Sequence, residues 1–92
     1  MKISKRPGLK EQPLGQELMV VDEKTDKVHV LNPTSAFIWG CLDETSEHAQ
    51  IEERLRAKFN VPADYDVLGL IGRALQQFRE KNLVTTGGTG PS

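Results

Sequence analysis

The stretch Val28-His29-Val30-Leu31-Asn32-Pro33-Thr34-Ser35-Ala36-Phe37-Ile38-Trp39 reads as a strand that runs directly into a helix. Val28, Val30 and Leu31 are β-formers or apolar, whereas Asn32 can accept a hydrogen bond from the orphan N–H groups of a first helical turn. Pro33 then falls at the first helical position, where its missing N–H does no harm. From Ala36 the apolar residues bunch as Ala36, Phe37, Ile38, Cys41 and Leu42, which predicts a short, buried, nearly all-round apolar helix over 33–42.

Upstream of this junction, 17–21 (Glu-Leu-Met-Val-Val) is a second strand, separated from the 27–31 strand by five polar residues. Two apolar runs so divided read as an antiparallel hairpin. Residues 9–12 form a short first strand closed by Pro13 and Gly15, and 1–8 are expected to be a flexible arm. Downstream, Ile51, Leu55 and Phe59 recur every four residues and predict a helix over about 47–59 with one narrow buried stripe, capped by Thr45 or Ser46 and stopped by Asn60 and Pro62. A third helix starts near Ala63 or Asp64 and runs to about Lys81, with Val67, Leu68, Ile71, Ala74, Leu75 and Phe78 as its apolar stripe. Leu83 and Val84 fold back as a short final contact, and 85–92 is expected to be a flexible tail. The sum is one α+β domain over 9–84, a three-stranded antiparallel meander followed by three helices. It leaves the 27–31 strand on an edge and resembles a winged helix-turn-helix.

An edge strand exposes unpaired N–H and C=O groups that can template another strand, and native proteins usually blunt such edges with charge or proline. Here Lys27 is the only charge between 27 and 31, and the next proline follows the strand. The edge is therefore available to an extended peptide. A wall for it is offered by the third helix, where Leu70 lies about 100° around the axis from Ile71 and off the main stripe. With Val67, Ala74, Gln77 and Lys81 it forms a flank beside the core face.

The string over 28–39 resembles the signature of the PqqD-like family, the small peptide chaperones of pyrroloquinoline quinone biosynthesis and related pathways. These are also called RiPP recognition elements, because they bind the leader peptides of ribosomally made precursors. The resemblance continues through 17–22, 51–61 and 66–84, most of the chain. It implies the winged-helix fold and a leader peptide lying between the last strand and the third helix. It also implies a modifying partner, typically a radical S-adenosylmethionine enzyme with its own iron–sulfur chemistry. Carried over residue by residue, the peptide-binding set is Val28, His29, Val30 and Leu31 on the strand with Val67, Leu70, Ala74, Gln77 and Lys81 on the helix. Small Ala74 would leave room for an incoming side chain, and Lys81 could attract an acidic one. Two positions depart from the pattern: Asp43-Glu44-Thr45 stands where a glycine turn is common, and His48 replaces an apolar residue.

Composition sets the outer bounds. A chain of 92 residues with 37% hydrophobic and 27% charged residues is one small globular domain. Twelve basic against thirteen acidic side chains give a net charge of -1, a poor start for neutralising phosphates. A winged-helix DNA binder remains the alternative function, but each of the later helices carries balanced charge rather than a basic face. The single cysteine, Cys41, excludes an internal disulfide and sits in the apolar helix, as a buried inert thiol does.

No apolar run reaches the length of a membrane span and no secretion signal is present, so a cytoplasmic location is expected, with no membrane or nucleic-acid partner. His29 and His48 are the only histidines, no metal-ligand spacing occurs, and Gly87-Gly88-Thr89-Gly90 has no helix after it to bind phosphate. The expectation is a non-catalytic binding module without a cofactor, whose partners are a precursor peptide and its modifying enzyme. The same edge could pair with a second copy of the chain, giving a homodimer, or serve another protein–protein adaptor.

Overall fold

The computed structural model describes residues 2–87. The elements run β1 (Lys2–Lys5), β2 (Leu9–Leu14), β3 (Glu17–Asp22), β4 (Lys27–Leu31), α1 (Pro33–Cys41), α2 (His48–Phe59), α3 (Val67–Glu80) and β5 (Val84–Gly87). Strands β2, β3 and β4 form the predicted antiparallel meander in that order, with β4 on one edge. Gly15, at φ +65°, makes the tight β2–β3 turn that a side chain would strain. Pro13 lies inside β2 rather than ending it, which an edge strand tolerates because that N–H need not enter the ladder.

The β4–α1 junction forms as its residues dictate. Asn32 Oδ1 accepts from the Ser35 N–H at 2.8 Å, and Pro33 opens the helix. Helix α1 buries Ile38, Trp39 and Cys41. Trp39 meets Phe78 of α3 edge to face, with ring centroids 5.2 Å apart. Around this pair Val20, Ile51, Leu55, Ile71, Leu75 and Leu83 complete the fully buried core.

Both later helices begin downstream of their expected starts. Thr45 does not cap α2 directly: its hydroxyl accepts from the N–H of Glu47, the N-cap, which makes no side-chain cap bond. Helix α2 stops at Asn60 in the left-handed conformation, as expected. Residues 63–65 are not helical because the Arg56 guanidinium donates to the carbonyls of Pro62 and Tyr65, at 2.9 and 3.0 Å, and holds the linker extended over α2. Asp66 then caps α3 by accepting from Gly69 N–H. Two stripe positions are less buried than expected. Phe59 packs edge-on to Phe37 but stays 37% exposed, and Leu68, on the rim of the first turn of α3, is 48% exposed.

The expectation of a flexible arm over 1–8 and a tail from 85 is corrected. Helix α3 ends in a left-handed Asn82, with Asn82 N–H donating to Arg79 O and Leu83 N–H to Phe78 O. That closure turns the chain back and buries Leu83. β5 then pairs antiparallel with β1, Lys5 opposite Val84 and Lys2 opposite Gly87, as a separate two-stranded sheet. The pairing is anchored by side chains. Ile3 is buried, and Lys5 reaches Glu11 at 3.1 Å and Asp43 at 3.0 Å while lying 4.9 Å from the Trp39 ring. Arg6 donates to Asn82 O and sits 3.7 Å from the Asp22 carboxylate. The part of the expected tail at 88–92 lies outside the described residues.

Asp22 is the buried charge of this arrangement. Burial by itself would raise its pKa. The Lys24 N–H hydrogen bond, the Arg6 charge and the Thr25 contacts outweigh burial and hold the carboxyl below its ordinary value of 3.8. A group depressed in this way stabilises the fold fully above its unfolded pKa, and the contribution is lost as pH falls through the folded one. Asp22→Asn should therefore flatten the loss of stability below about pH 4, read from urea midpoints across a pH series. An unchanged acid slope would remove Asp22 from this account.

Candidate peptide-binding cleft

Strand β4 hydrogen-bonds to β3 on one side and to no strand of the described residues on the other. Its register places Val28 opposite Val21 and Val30 opposite Met19, on the outward face. Val28 and Val30 remain 54% and 51% exposed. Lys27, His29 and Leu31 lie on the other face, opposite Asp22, Val20 and Leu18. Successive side chains alternate between the faces, so a strand added to this edge would place its own residues alternately beside the two valines and toward the helices.

Helix α3 stands back from this edge: no Cα of β4 comes within 8 Å of one in α3. The two elements are nonetheless held alongside one another at both ends. At one end Leu70 and Thr34, just past β4, line a common cavity of about 260 Å³ with Phe59 and Tyr65. At the other, Arg6 joins Asn82, which follows α3, to Asp22, the cross-strand partner of Lys27. The helix thus runs antiparallel to the strand. Leu70 to Lys81 spans about 16 Å at the helical rise, close to the length of a five-residue strand.

The expected site residues divide into two groups. Val28, Val30, Gln77 and Lys81 are exposed, and His29 and Leu70 are half-buried, so all six can meet a guest. Leu31, Val67 and Ala74 are 3%, 0% and 5% exposed and belong to the core. Val67 and Ala74 lie too near the centre of the buried stripe of α3 to form its flank, and Leu31 points inward beneath the sheet. These three support the cleft from below rather than touching what enters it, and no extra room opens at Ala74. Arg73, exposed and between Leu70 and Gln77 in helical angle, joins the flank instead. Thr34 and Tyr65 at the apolar end, and Arg6 at the polar end, also escaped the sequence reading, because only the folded contacts bring them there.

The electrostatics are concentrated at the polar end. Burial, then the charges of Lys81 and Lys27, push the His29 pKa below its ordinary value, with Asp22 opposing. His29 is therefore neutral at pH 7. Elsewhere the groups that could do chemistry are inert. Burial pushes the Cys41 thiol up, away from thiolate. Among the described residues no three histidine, cysteine or carboxylate side chains gather to hold a metal, and no helix is long and apolar enough to cross a membrane. A further apolar cavity of about 380 Å³, between Leu18, Phe37 and Phe59, carries Glu17 and Lys58 on its wall but no histidine or cysteine.

The family model described as coenzyme PQQ synthesis protein D (PqqD) matches residues 17–84. The chain belongs to the PqqD family. The match takes in β3, β4 and all three helices, so both walls of the cleft in this PqqD-family chain fall inside it, while β1 and β2 fall outside. Two solved structures are similar to it along nearly their whole length. One is TbiB1 in complex with the TbiA(beta) leader peptide, at 16% identity and TM-score 0.78, with 94% of this chain and 99% of that one covered. The other is lasso peptide synthetase B1 complexed with the leader peptide, at 17% identity and TM-score 0.79, with 94% and 100% covered. At that identity the likeness shows the fold. No curated protein matches the sequence.

Proposed function

We propose that this PqqD-family domain is a non-catalytic RiPP recognition element. It binds the leader of a ribosomally made precursor peptide as a strand added to β4 and presents it to a modifying enzyme, of the radical S-adenosylmethionine type in the manner of the PqqD pathway. The observation that carries the reading is the unpaired edge of β4 facing α3 across an open gap. It is supported by the shared fold of two proteins whose solved structures contain leader peptides.

The energetics favour a guest with side-chain anchors. Each added ladder bond nets about 0.5–1.5 kcal/mol, while ordering each peptide residue costs about 1–2 kcal/mol. Backbone pairing therefore comes close to cancelling, and affinity rests on side chains that fill the cleft. A buried leucine or phenylalanine contributes about 1.5–3 kcal/mol. The Leu70–Thr34–Tyr65 cavity is the place for one such anchor.

The fold also suits a winged-helix DNA binder, but the charges do not. Arg54 and Arg56 of α2 are already paired with Glu44 and Glu52. The test is a titration of isotope-labelled protein with a peptide selected from a display library of extended ten-residue segments. Amide shifts are expected along Lys27–Leu31 and on the exposed flank of α3, with slowed hydrogen exchange on β4. Shifts that bypass β4 would refute strand addition.

A further inference from the structure

The polar end of the cleft holds more positive charge than the fold itself uses. Arg6 and Asp22 compensate one another there, Arg6 also tying down Asn82. Lys27 stands opposite Asp22 in the sheet, and Lys81 immediately precedes Asn82, so both lysines are brought to the same corner as His29. Lys5, Lys10, Arg54 and Arg56 each contact a carboxylate. Among the described residues, Lys27 and Lys81 contact none within ion-pair distance. A corner with two uncompensated ammonium groups beside a half-buried imidazole is costly unless something anionic arrives.

The sheet register says from where. Directly opposed residues of neighbouring strands share a face, with Cβ atoms about 4.5–5.5 Å apart. Lys27 and His29 are on the inward face, so the guest residue opposite either of them points into the corner rather than to solvent. Resting on the strand-addition reading above, we propose that Lys27, His29 and Lys81 form a carboxylate-receptive subsite that selects guest peptides carrying an aspartate or glutamate on the inward face of the added strand. A carboxylate there also stabilises the imidazolium of His29, against the burial and the two lysines that disfavour it in the free protein. Binding is then linked to proton uptake and strengthens as pH falls from 7 toward 5.5. Arg6 and Asp22 also face this corner, and their compensation leaves the lysines and the histidine to set the response.

The experiment is a selection from a display library of ten-residue peptides fused at their C-termini, run in parallel against the intact protein and its Lys81→Glu variant. Lys81 is exposed, so the variant keeps the fold. The wild type should enrich an acidic residue at one fixed position in an alternating pattern, and Lys81→Glu should lose that preference or replace it with lysine or arginine. In the selected peptide, a Glu→Gln change at that position should weaken binding about 3- to 10-fold. The Glu→Lys peptide should regain affinity on Lys81→Glu, and His29→Gln should flatten the pH dependence. Peptides that bind along β4 without acidic enrichment overturn the subsite and leave strand addition standing. Binders that never engage β4 overturn both. A synthetic peptide that needs a free C-terminus, and fails when amidated, overturns the side-chain assignment in favour of a terminal carboxylate.

Discussion

Phe78→Ala is expected to lower the unfolding free energy by about 3–5 kcal/mol. Phe78 is fully buried and stacks edge-on against Trp39, so truncation opens a cavity at the contact between α3 and α1. The aromatic pair adds about 0.5–1.5 kcal/mol beyond area burial. A domain of this size sits at the low end of the usual 5–15 kcal/mol, so the variant should be close to unfolding at 37 °C. Trp39 is the only tryptophan and is itself buried, so its emission in urea titrations follows the event directly. Phe59→Ala is the internal control. It removes a similar edge-on pair, with Phe37, but from a side chain 37% exposed, and should cost distinctly less. Equal costs would mean that the core is not centred on the α1–α3 contact.

Removal of residues 1–6 is expected to be the second large effect. It deletes the ladder with β5, the buried Ile3, the Lys5 bridges to Glu11 and Asp43, and the Arg6 link between Asn82 and Asp22. Losing the Ile3 side chain alone is worth about 2–5 kcal/mol. At about 4–8 °C per kcal/mol for a domain of this length, the midpoint should fall by at least about 10 °C. Because Arg6 ties the end of α3 to the sheet, the truncated protein should also bind selected peptides more weakly under conditions where it remains folded. A truncated protein with an unchanged melting midpoint would show that β1 is only laid against the domain.

How much of this was legible follows from where each signal resides. The β4–α1 junction was readable because Asn32, Pro33 and the apolar run act within one turn of chain. The meander was readable because alternation and turn residues are local too. β1 was not: Lys-Ile-Ser-Lys carries one apolar residue, and what orders it are partners at Glu11, Asp43, Asn82 and Val84, most of them distant in sequence. The late start of α3 depends on Arg56 holding two linker carbonyls, which no periodicity encodes. In the cleft, the edge character of β4 could be inferred from its lack of blunting residues. Which flank residues of α3 reach the opening could not, since helical angle alone does not say how far the buried stripe extends. That is why Val67 and Ala74 were placed on the wall and Arg73 was missed. The charged corner was hidden for the same reason as β1, since Arg6 assembles it.

The pairing of Lys2 with Gly87 has an architectural consequence. Paired residues in an antiparallel ladder lie about 4.5–5.5 Å apart, so the polypeptide enters and leaves this unit through one doorway. A unit shaped like that can be spliced into a surface loop of a larger host with little stretching on either side. A short bridge between strands β1 and β5 would likewise let the chain be reopened at the Gly15–Gln16 turn, leaving the cleft walls uncut.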